Sequence, residues 1–193
     1  MPAAIPHAVD LRSLAQKGET LSGTAPLSAF ERLSDGLPAV DQATVPVTWS
    51  AQAQWREPLA GAAAVPGARA GAEAQLWLHL QAGGEVPQTC QRCLGAYAQP
   101  VEVNRWFRFV ADEATAEAED DDSDEDLLVL EPRFDLAALV EDELLLALPL
   151  VPMHEVCPQP VRMSAGEIDE SEPAERPNPF AALAALKGRN SPT

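Results

Sequence analysis

Basic residues are scarce: 13 Lys and Arg stand against 30 Asp and Glu, leaving a net charge of −17. Such a chain repels phosphate, which argues against a general grip on nucleic acid or on an anionic membrane. Aromatic residues make up only 5% of the chain, too few for a broad base-stacking surface. The three cysteines, Cys90, Cys93 and Cys157, are too few and odd in number for a disulfide framework. Residues 1–14 hold no apolar stretch of signal-peptide length. The longest apolar run, residues 144–153, is interrupted by Pro149 and Pro152 and is too short to span a bilayer. There is no Gly-rich phosphate loop and no G-x-S-x-G elbow. Of the three histidines, His7 falls in an expected tail and His79 on an expected strand, so catalysis finds little support. These absences predict a soluble protein of a reducing, cytoplasmic setting.

Hydrophobic residues reach 46%, enough for a sizeable core. The pattern divides the chain into an N-terminal segment with short helices (1–44), a core domain (45–163) and a flexible linker with a short helix (164–193). In the first, residues 9–15 suit a turn or helix, and Ser28 with Glu31 fits a capping box closed by Gly36. From Val45 to Trp55 apolar and polar residues alternate, the mark of a half-buried strand. Residues 58–71, rich in Ala and Gly, read as a long hairpin connection. Leu76, Leu78 and Leu80 open a second strand, expected to end at Gly83 and Gly84. A third covers residues 97–110, with Val101, Val103, Arg105, Phe107 and Phe109 on one face. Asp135 is the expected N-cap of a helix over 136–148, stopped by Pro149. The resulting class is α+β: an antiparallel sheet or partial barrel followed by one packed helix.

Ten of the 30 acidic residues fall within 112–126, where no basic residue occurs. Self-repulsion predicts an extended, solvated loop; a sharper alternative is a lure for basic protein tails or a mimic of nucleic-acid charge. Residues 164–177 read as a flexible linker. Beyond them Asn178 and Pro179 open a short helical pattern with Phe180, Leu183 and Leu186 at one face, a candidate for docking on a partner.

Cys90 and Cys93 form a C-x-x-C pair, a spacing that lets one turn aim two sulfurs at a single ion. His154 and Cys157 repeat it with an imidazole and a thiolate, so the four could make a Cys3His zinc site. The bland alternative is a set of unliganded thiols. Glu143 falls inside the apolar face of the 136–148 helix and needs a charged or donor partner, for which Arg92, Arg105 and Arg108 are available. It is either half of a structural ion pair or part of a partner site. The same three arginines could instead form a local basic patch that touches RNA.

Three blocks together resemble a known family. They are Cys90-Gln91-Arg92-Cys93-Leu94, the 135–149 stretch from Asp135 to Pro149, and the 177–187 stretch beginning Pro177-Asn178-Pro179-Phe180. In order and spacing, with the acidic run ahead of the second, they are similar to the YceD family, the large ribosomal RNA subunit accumulation proteins of bacteria and plastids. The resemblance covers roughly residues 45–187. It implies a cytoplasmic, non-enzymatic factor needed for synthesis, processing or stability of 23S rRNA. Many relatives carry more cysteines after the helix; here Cys157 stands alone with His154, which implies either a reduced ligand set or no zinc site. The reading requires no cofactor and admits zinc. Expected partners are large-subunit ribosomal proteins or assembly factors, with the 23S rRNA precursor reached indirectly, and neither DNA nor membrane. The alternatives from other classes are a zinc-dependent RNA-processing enzyme and an acidic chaperone for basic proteins.

Overall fold

The computed structural model describes residues 4–38, 42–57 and 74–158. The chain divides into two units, residues 1–160 and 161–193, and the described residues all belong to the first. The expected 58–71 connection and the helical pattern with Phe180, Leu183 and Leu186 lie outside the described residues.

Five strands form one sheet in the order of the sequence: β1 (Thr20–Pro26), β2 (Pro46–Arg56), β3 (Gln75–Thr89), β4 (Ala96–Val110) and β5 (Asp126–Val129). The first four pair antiparallel, and β5 joins β4 in parallel. Alternation puts Val47, Trp49, Ala51 and Ala53 of β2 on one face with Leu76, Leu78, Leu80 and Ala82 of β3 and Val101, Val103, Phe107 and Phe109 of β4, all buried. Helix α4 (Leu136–Ala147) lies against β3 and β4 and covers that face with Leu136, Leu139, Val140 and Leu144. Its N-cap is Asp135, whose carboxylate accepts the Ala138 N–H at 3.0 Å. The fold is therefore α+β, as the pattern predicts.

The N-terminal segment contributes more than short helices. Helix α1 (Leu11–Lys17) buries Leu11 and Leu14, and β1 supplies an edge strand that the sequence reading leaves out. The interrupted alternation of Thr20–Pro26, with Gly23 at its centre, hides it. The expected capping box does not form. Ser28 sits in a 3-10 turn (Leu27–Ala29), and α2 (Glu31–Ser34) follows Phe30, whose side chain makes no capping bond. Glu141 of α4 does the capping instead, accepting the Arg32 N–H at 2.7 Å and the Leu33 N–H at 3.1 Å. A carboxylate from another helix thus satisfies the same orphan donors.

Two further expectations are corrected. β3 does not end at Gly83 and Gly84 but runs through them to Thr89. A Cβ on Gly83 would lie 2.7 Å from the Val101 carbonyl oxygen, and one on Gly84 2.8 Å from that of Pro46. The glycines let neighbouring backbones approach closely, which is a reason for glycine inside a strand. Trp55, placed by alternation on the buried face, is 40% exposed near the end of β2. The acidic segment is not an extended loop either. It folds into α3 (Glu113–Glu119), a 3-10 turn (Asp120–Asp122) and the start of β5. Asp112 caps α3 through the Thr115 N–H, Glu119 pairs with Arg108 at 2.6 Å, and Asp126 pairs with Arg105. Strand arginines and a cap offset the self-repulsion that composition alone emphasises.

The sheet's backbone spacing makes Gly84→Ala a direct test. The added methyl meets backbone rather than a movable side chain. The expected loss is about 1–3 kcal/mol of unfolding free energy, read by urea denaturation. Breaking the Arg105–Glu143 pair by Arg105→Ala strands a carboxylate that is 6% exposed. Because Arg105 itself is 43% exposed, the expected loss is about 2 kcal/mol, below the ~3–5 of a fully buried pair. Restoration of most of that loss by adding Glu143→Leu to the Arg105→Ala chain would identify the stranded charge as its cause.

Candidate metal centre

The hairpin between β3 and β4 is the Cys90–Gly95 turn. Cys90 N–H donates to the Gly95 carbonyl at 2.9 Å, and Leu94 N–H to the Cys90 carbonyl at 2.8 Å. Leu94 takes a left-handed φ of 59°, unusual for a leucine and set by this tight closure. Pro149 ends α4, and the chain beyond it turns back across the hairpin. Gln91 N–H donates to the Pro152 carbonyl at 2.8 Å, and the Arg92 guanidinium to the His154 carbonyl at 2.8 Å.

This return brings together the two halves that the sequence separates by more than sixty residues. The donor atoms of Cys90, Cys93, His154 and Cys157 all lie within 4.8 Å of one another. Cys90 Sγ is 3.9 Å from Cys157 Sγ, and Cys93 Sγ is 3.4 Å from His154 Nδ1. A tetrahedron with Zn–S of about 2.3 Å and Zn–N of about 2.0 Å has S···S edges near 3.8 Å and S···N edges near 3.5 Å. The Cys90–Cys157 and Cys93–His154 separations match those edges, and the donor set suits zinc in a Cys3His shell.

The surroundings prepare the sulfurs unequally. Burial pushes the Cys90 thiol up, yet hydrogen bonds from the backbone at Cys93, His154 and Arg92 outweigh it and hold the group down at about 5. Cys157 is desolvated and faces the sulfurs of Cys93 and Cys90, so it is pushed up to about 11. A stabilised Cys90 thiolate beside a protonated Cys157 is a receptive start for a cation, whose binding would displace the Cys157 proton. The Tyr97 ring lies 4.8 Å from that of His154 and backs the imidazole, a support the sequence reading does not include.

The other singled-out residues go elsewhere. Glu143 is buried on the core side of α4 and accepts from Arg105 Nη1 at 3.1 Å. Arg108 is paired with Glu119, and Arg92 is held at the His154 carbonyl. The alternative of a local basic patch from Arg92, Arg105 and Arg108 is weakened: Arg105 and Arg108 are paired with carboxylates, and Arg92 braces the return segment.

The model of the family described as "Large ribosomal RNA subunit accumulation protein YceD" matches residues 78–187, a span that holds all four metal donors and α4. A curated protein of the same description from Haemophilus influenzae is 40% identical over 112 residues. The match covers 53% of this chain and 60% of that relative, so the chain spans about three fifths of its length. No solved structure matches.

Zinc titrated into the reduced full-length protein is expected to bind near one equivalent and to raise the melting temperature, as a ligand of the folded state alone must. Cys90→Ser and Cys157→Ser should each remove most of the bound metal, because an alcohol is a far poorer ligand than a thiolate. Elemental analysis after dialysis measures both effects, and stoichiometry well below one in the parent chain would remove the site.

Proposed function

Because the chain belongs to the YceD family of large ribosomal RNA subunit accumulation proteins, we propose that it is a cytoplasmic factor on which accumulation of 23S rRNA depends. It works without catalysis and through contacts with proteins. The observation that carries this reading is the family match across residues 78–187, the span that holds Cys90, Cys93, His154 and Cys157. The family's description names an accumulation factor, not an enzyme.

Several features of the site support the finer statements. Four protein donors fill a tetrahedral shell and leave no open position for a substrate or an activated water, which favours a structural role for zinc over hydrolysis. Zinc there ties the β3–β4 turn to the segment after α4 and stabilises the fold. Direct gripping of rRNA is disfavoured by the charge of −17 and by the pairing of Arg105 and Arg108 with carboxylates. Trp106 is no free stacking platform: His79 stacks on it at 4.2 Å, and the Arg56 guanidinium lies 3.7 Å from its ring centre. No helix among the described residues is long and apolar enough to cross a membrane.

Depletion in the native host is expected to lower 23S rRNA relative to 16S rRNA severalfold, measured by quantitative hybridisation across growth phases. Equal ratios in depleted and parent cells would remove the proposed function.

A further inference from the structure

The two segments that carry the metal donors also carry apolar side chains that do not go inside. Leu94, next to Cys93, is 75% exposed; Leu150 is 102% exposed, and Val156, next to Cys157, is 81% exposed. Val151 and Met153 of the same return segment are exposed as well. Single exposed leucines are ordinary on a protein surface. Five exposed apolar side chains on two short segments, clipped together by the Gln91–Pro152 and Arg92–His154 hydrogen bonds, are a local concentration of the kind that marks interaction sites. The segment lacks helix and strand, and Pro149, Pro152 and Pro158 restrict its backbone, so its side chains are presented with little left to order on binding.

We infer that this surface docks a basic protein which inserts an apolar anchor against Leu94, Leu150 and Val156. The inference rests on the proposed function and names the kind of contact through which it is exercised. Charge selects the occupant. A second copy of the chain carries the same −17 and meets repulsion, whereas a basic partner is drawn in by the long-range field and held by apolar contact. Nucleic acid is a poor fit, because the five exposed side chains include no aromatic ring and the nearby Arg92 is already held at the His154 carbonyl.

The test uses the full-length chain with one equivalent of zinc, and purified basic ribosomal proteins of the large subunit added singly in a calorimeter. At least one is expected to bind, and the Leu150→Asp, Val156→Asp double variant should weaken it at least tenfold with zinc stoichiometry and melting temperature unchanged. If that pair lowers the melting temperature, Leu94→Asp on the other segment repeats the measurement. Undiminished affinity in the variants overturns the docking surface. So does the absence of any binder among these proteins, or a parent dimer that the double variant dissociates, which would assign the surface to a second copy. The 23S to 16S ratio in depleted cells reports on the proposed function separately, so the two can fail independently.

Discussion

The pairing of Arg105 with Glu143 fixes how the two layers of this protein meet. Glu143 stands amid the apolar face of α4, where a carboxylate is tolerated only with a cation in reach. Arg105 stands opposite Leu80 on the core face of the sheet, where a guanidinium needs the same. The half-exposed guanidinium makes the burial of the Glu143 carboxylate acceptable, and the 3.1 Å contact joins α4 to β4. Arg105 also pairs with Asp126 at the start of β5, which anchors the parallel edge strand. The end of α4, and with it the return segment that carries His154 and Cys157, is positioned as a consequence.

Part of the negative charge is used structurally. Glu119 and Asp126 hold strand arginines, Asp112 and Asp135 cap helices, and Glu141 caps α2 from across the fold while Asp142 pairs with Arg32. Such pairs at the surface are individually weak. Together they occupy Arg32, Arg105 and Arg108, and the excess acid leaves the chain with a net negative field.

The candidate metal donors and the exposed apolar side chains share the same two segments. Cys90 and Cys93 lie in the β3–β4 turn, and the irregular segment that carries His154 and Cys157 is tied to it by the Gln91–Pro152 and Arg92–His154 hydrogen bonds. The side chains flanking the donors face outward because the donors face inward.

Much of the fold is legible in the sequence because it rests on local periodicity. Alternation marks the three long strands, and Asp135 and Pro149 bracket α4. The C-x-x-C and H-x-x-C spacings give the four donors by residue type. Less regular signals mislead: β1 escapes notice, Gly83 and Gly84 pass for a strand end, and Ser28 passes for a cap. Pairing across distance is where local reading stops. That Glu143 chooses Arg105, that Glu141 caps α2, and that the acidic run folds against strand arginines depend on which elements the sheet brings together. The same holds for the convergence of Cys90 and Cys93 with His154 and Cys157. Residue spacing sets what each segment can form, because backbone geometry repeats every two or 3.6 residues. Only the packed chain decides which charges and donors meet, because their partners lie many residues away and are selected by burial.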